Sequence, residues 1–163
     1  MGMIGSYLRT NEETVKKIQQ GEIEFWDLLN DDSYDNYIID IDKTWHALHF
    51  TLTGKVWAGG GSEFDDLVLG GESITDSEKE EFPILLIRPE RVKELAEALE
   101  KLTEQEFREK FSMKKMVENE IYPLYEEEDE DDFFEYVSGY FIELKKFMKI
   151  ASDEGQAVIF YIS

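Results

Sequence analysis

The chain has no cysteine, which removes disulfides, thiolate metal ligands and thiol redox chemistry at once. Histidine occurs only twice, at positions 46 and 49, so imidazole chemistry is confined to one short stretch. Proline occurs three times, at 83, 89 and 123, which leaves long segments free to form helices. No apolar run approaches the roughly 18 residues that span a bilayer. The start of the chain lacks a basic segment followed by an apolar one, the pattern of a secretory signal. A cytoplasmic protein is expected. Positive charge is also scarce: 17 basic residues stand against 38 acidic ones, a net charge of −21. Such a charge repels nucleic-acid phosphates and anionic membranes, so binding to either is not expected. It suits a basic protein partner, or simply solubility.

What is present is enough for a packed core. Of 163 residues, 42% are hydrophobic and 13% aromatic, and a single domain over 1–163 is expected. The negative charge is concentrated in residues 22–81 and 120–163, while 84–119 is neutral. No internal repeat or linker separates these segments.

Hydrophobic spacing supplies the elements. Met3–Leu8, Ile84–Ile87 and Val158–Ile162 are short apolar runs that read as strands of a common sheet. Asn11 can cap a helix that Gly21 stops, and Ile23, Trp26 and Leu29 mark a second short helix. Asp42 is placed to cap a helix from about Lys43 to Thr53, with Gly54 just beyond it. Trp45, Leu48, His49 and Leu52 then form one buried stripe. Phe64–Leu69 can make one helical turn. Pro89 opens a strongly periodic helix. Thr103 and Glu106 form a capping box, and Ser112 caps a further helix. A long helix is expected from about Asp131 to Ala151. The pattern is not a regular strand–helix alternation. It indicates an α+β fold: a small sheet including both terminal strands, packed by five to seven helices.

The candidate site is ligand-binding: Asp42, Trp45, His46 and His49. A carboxylate four residues before an imidazole can orient it, and two histidines three apart share a helix face. The alternative is structural, with Asp42 as a cap and His49 as a hydrogen-bonded core histidine beside Trp45. The spacing is not that of a zinc-protease helix, and no metal or other cofactor is expected. No catalytic residue is assigned: there is no Gly-x-Ser-x-Gly, and Gly59-Gly60-Gly61 lacks the Gly-Lys-Ser/Thr of a phosphate loop. The seven consecutive acids Glu126–Asp132 lack the alternating ligands and glycine of a calcium loop. They read as a solvated lead-in to the long helix, whose N-terminal dipole favours carboxylates.

Four segments also carry a resemblance. They are the opening Met1-Gly2-Met3-Ile4-Gly5-Ser6-Tyr7, the run Asp40–Phe50 with Leu52-Thr53-Gly54, Val68-Leu69-Gly70-Gly71, and Glu120-Ile121-Tyr122-Pro123. With the closing helix and strand, the chain resembles the YfbM-like family of bacterial proteins, a domain of unknown function. The resemblance implies a compact α+β domain in the bacterial cytoplasm and brings no catalytic residues.

The expected function is a non-enzymatic, acidic protein-interaction domain, similar in kind to an immunity or inhibitor protein, that captures a basic partner. The alternative is a small-ligand binder or hydrolase-like enzyme using the His46/His49 helix. A third reading is an acidic housekeeping domain with no special surface. Nothing in the sequence sets an oligomeric state.

Overall fold

The computed structural model describes residues 2–74, 81–124 and 128–163. Strand β1 (Gly5–Thr10) is followed by helices α1 (Glu12–Gln19) and α2 (Phe25–Leu29) and a 3-10 helix (Asp32–Tyr37). Strand β2 (Ile38–Asp40), a second 3-10 turn (Asp42–Thr44) and α3 (Trp45–Thr53) come next. Then follow β3 (Glu72–Ser73), β4 (Leu85–Ile87), α4 (Pro89–Lys101), α5 (Glu104–Lys110) and α6 (Met113–Glu118). The chain closes with α7 (Glu130–Asp153) and β5 (Ala157–Ile162).

The strands form one antiparallel sheet in the order β2-β1-β5-β4-β3. The two terminal strands are neighbours at its centre, paired from Gly5↔Ile162 to Thr10↔Ala157. Ile4 and Ser163 extend that ladder by exchanging backbone hydrogen bonds. The fold is therefore α+β, and all three anticipated strands lie in one sheet. β1 starts two residues later than its apolar run suggests and ends two residues later, where pairing with β5 continues through the polar Arg9 and Thr10.

Alternation along the strands feeds two cores. Tyr7, Leu85, Ile87, Val158, Phe160 and Ile162 pack with α3 to α7. Leu8, Ile84, Leu86, Ala157, Ile159 and Tyr161 pack with α1 and α2. A sheet covered on both faces explains why β5 reads as an unbroken apolar run. Helix α2 begins at Phe25, and its buried residues are Phe25 and Leu28. Ile23, Trp26 and Leu29, the residues its spacing suggested, are only half-buried. Phe25 and Trp26 both meet Tyr161 edge-on, at 5.1 and 5.8 Å, which sets the phase of the helix.

Several local expectations hold. Asn11 caps α1 through Thr14 N–H, and Thr103 and Glu106 form a capping box. Ser112 caps α6, and Pro89 opens α4. Gly54 ends α3 at φ 73°, the left-handed region where a Cβ is costly. Residues 63–69 form consecutive turns rather than a helix. Of the Glu126–Asp132 run, Glu126 and Glu127 lie outside the described residues. Asp129 caps α7 through Asp132 N–H, and Glu130, Asp131 and Asp132 occupy its first turn.

Candidate functional site

Helix α3 carries both histidines and is buried on every side from Trp45 to Leu52. A helix apolar all round belongs to a core, so its stripes do not divide inside from outside. It begins after the 3-10 turn at Asp42–Thr44, and this corrects the expected cap. An N-cap needs an extended backbone, but Asp42 sits at φ 51°, and the capping position falls to Thr44. The Thr44 hydroxyl donates to Ile41 O at 2.6 Å and caps nothing. The Asp42 N–H donates to the Asp40 carboxylate at 2.6 Å.

Nor does Asp42 orient His46. Its carboxylate lies beside the Tyr136 hydroxyl, which accepts the Lys43 N–H at 3.1 Å. Burial, then the nearby Asp42 carboxylate, pushes the Tyr136 phenol well above its ordinary range. Tyr140 is raised by burial and by Asp42 and Asp40. Asp42 thus belongs to a tyrosine–carboxylate cluster between the 3-10 turn and α7.

His46 is engaged at both ring nitrogens. Nδ1 accepts the Tyr122 N–H at 3.0 Å, so Nε2 carries the proton it donates to Val56 O at 3.0 Å. The ring stacks on Trp45 at 5.3 Å and on Trp57 at 4.9 Å. Trp45 in turn stacks on Tyr122 at 5.5 Å and donates Nε1–H to Met3 O at 2.9 Å. The Tyr122 hydroxyl accepts the Met3 N–H at 2.8 Å. Four rings in successive contact therefore tie α3 to the N-terminal segment, the 55–57 loop and residue 122. Burial holds the His46 pKa below its usual value, against the opposing bond to Val56.

His49 is fully buried, and neither ring nitrogen has a hydrogen-bond partner among the described residues. This corrects the expectation of a hydrogen-bonded core histidine. The Trp57 backbone and the Asp65 carboxylate lie near enough to favour the charged ring, without reaching hydrogen-bond geometry. Burial outweighs both and lowers its pKa. Asp65 is itself committed to the N–H groups of Gly59, at 2.9 and 3.0 Å, and Gly60, at 3.3 Å. The glycine loop thus closes on a carboxylate.

The structure brings Trp45, His46 and His49 together and places Asp42 in a different cluster. Val56, Trp57, Asp65, Tyr122 and Tyr136 complete the surroundings and were not singled out from the sequence as site residues. Trp57 stands beside a glycine run and is 63% exposed, and Tyr122 lies in one of the segments that carry the family resemblance. No group of three or more carboxylate or imidazole side chains suited to a metal occurs among the described residues.

The fold and these surroundings define an α+β protein built around a buried histidine helix. The sequence profile of DUF1877, a domain of unknown function, matches residues 1–161, and the chain belongs to that family. It is 34% identical over 140 residues to Protein YfbM of Escherichia coli (strain K12), covering 82% of each chain. The crystal structure of that protein of unknown function, YfbM from Escherichia coli, superposes with a TM-score of 0.79 at 26% identity. That match covers 98% of this chain and 99% of the other.

Proposed function

We propose that the chain is a cytoplasmic, non-enzymatic interaction domain whose acidic surface captures a basic protein, in the manner of an immunity or inhibitor protein. One observation carries this reading. Glu22, Glu24, Asp27, Asp31, Asp32 and Asp35 are exposed, follow one another from the turn before α2 into the 3-10 helix, and make no ion pair among the described residues. No basic residue occurs between 18 and 42 to neutralise them. Their field steers a cationic surface. Both His46 nitrogens are already engaged, so the alternative of a hydrolase using this helix requires the site to open first.

The test is stopped-flow association with a partner recovered by pull-down. The on-rate should fall steeply with salt, because exposed charges are screened beyond about 8 Å at physiological ionic strength. Changing Glu22, Glu24 and Asp27 to Gln, Gln and Asn should slow association more than it speeds dissociation. A salt-independent on-rate, or an acidic partner, refutes the proposal.

A further inference from the structure

The chain has four arginines, and three are neutralised. Arg88 pairs with Glu72 at 2.8 Å, Arg91 with Asp66 at 2.7 Å, and Arg108 with Asp131 at 3.3 Å. Arg9 has no carboxylate partner among the described residues, in a chain where acids outnumber bases by 38 to 17. It is half-buried at the end of β1 and held only by neutral groups. One Nη donates to Gln156 Oε1 at 2.9 Å, the other to Asn36 O at 3.5 Å, and the guanidinium lies 4.7 Å from the Tyr37 ring centre. Two of its five N–H groups are taken, and the rest of the fork has no acceptor among the described residues.

This guanidinium lines a cleft of about 290 Å³ between β1, the start of α1, the 3-10 helix and the turn before β5. The other walls are polar: Thr10, Thr14, Ser33 and Tyr34 supply hydroxyls, and Gln156 an amide. The volume lies at the small end of ligand pockets, which span roughly 300–1,000 Å³. A fixed, charged fork among hydroxyls matches a planar or tetrahedral oxyanion on a small, hydroxylated body.

We infer that the Arg9 cleft binds a small hydroxylated oxyanion, a carboxylate or a phosphate ester, through the Arg9 guanidinium. The cleft shares the 3-10 helix with the acidic surface: Ser33 and Tyr34 line it while Asp31, Asp32 and Asp35 stand exposed beside them, so the Arg9 fork must hold the anion against their field.

The test is NMR titration of the full chain with glycolate, with inorganic phosphate, and with ethylene glycol as the neutral control. The observed signals are the Arg9 Nε–H and the Gln156 side-chain amide. Saturable shifts with glycolate alone assign a carboxylate ligand, with phosphate alone a phosphate ester, and with both the shared oxyanion chemistry. Arg9→Lys should weaken binding by about tenfold, because an ammonium keeps the charge but loses the fork. Arg9→Gln should abolish saturation, with an amide spectrum that shows the fold intact. The wild-type titration decides the matter even if Arg9→Gln fails to fold. Absence of saturation by either anion, equal shifts at the exposed Arg108, equal shifts with ethylene glycol, or unchanged binding by Arg9→Lys overturns the proposal.

Discussion

His46 and His49 differ in a way that residue type alone does not disclose. One spends both nitrogens on the backbone of Val56 and Tyr122, and the other spends neither. Both are kept neutral by burial, which lowers their pKa values. The sign of the consequence follows directly. Above about pH 6.5 the imidazoles are neutral in the folded and unfolded chains alike, and they add no pH dependence. As pH falls below that value the unfolded chain takes up protons first, so stability decreases towards the lowered folded pKa values. Urea denaturation from pH 5 to 8 should show this loss. The variant His49→Leu should lose part of it and be no less stable than wild type at pH 7.5, because it removes two unpaired buried nitrogens. Destabilisation of that variant by more than about 2 kcal/mol would mean that His49 has a partner in solution.

At the scale of elements, caps that close within their own turn are legible in the sequence, and a cap that depends on distant neighbours is not. The Thr103–Glu106 box needs only its own turn: Thr103 Oγ1 accepts the Glu106 N–H at 3.1 Å, and Glu106 Oε1 reaches back to the Thr103 hydroxyl at 3.1 Å. Thr103→Ala should therefore cost about 1 kcal/mol, read as a lower urea midpoint with unchanged slope. An unchanged midpoint would show that Phe107, buried one turn into α5, holds the helix start by packing alone. The cap at Asp42 failed for the opposite reason. The Asp42 carboxylate sits beside Tyr136, 94 residues away, and the positive φ of Asp42 is incompatible with capping. Tyr136 packs against the core on α7, and no pattern within four residues of Asp42 brings the two together.

For the whole molecule, charge is the dominant long-range term. Seven ion pairs occur among the described residues, most of them exposed, and they leave most carboxylates unneutralised. Exposed pairs contribute little, whereas self-repulsion acts over the whole surface. Raising sodium chloride from low ionic strength to about 0.15 M should therefore raise Tm, by about 2–4 °C for each kcal/mol of repulsion relieved. Scanning calorimetry at constant pH checks this. A falling Tm would show that the ion pairs outweigh the repulsion. No helix among the described residues is long and apolar enough to cross a membrane.

The sequence alone determined the properties that belong to short segments or to sums. The absence of thiol chemistry, the sign of the field, the caps at Asn11, Thr103 and Ser112, the stop at Gly54 and the apolar strands all follow from local spacing or composition. The approximate place of the histidine helix was also apparent, because its hydrophobicity is contained within nine residues. Tertiary structure decided the rest. It made the chain termini neighbouring strands, separated Asp42 from His46, and placed Trp57 and Tyr122 around the imidazole. It also left Arg9 beside a cleft with only neutral partners. Those outcomes depend on groups far apart in sequence: Arg9 and Gln156 are 147 residues apart, and the strand partners Gly5 and Ile162 farther still. Packing density and the need to satisfy buried polar groups act on such pairs only after the chain has closed around them.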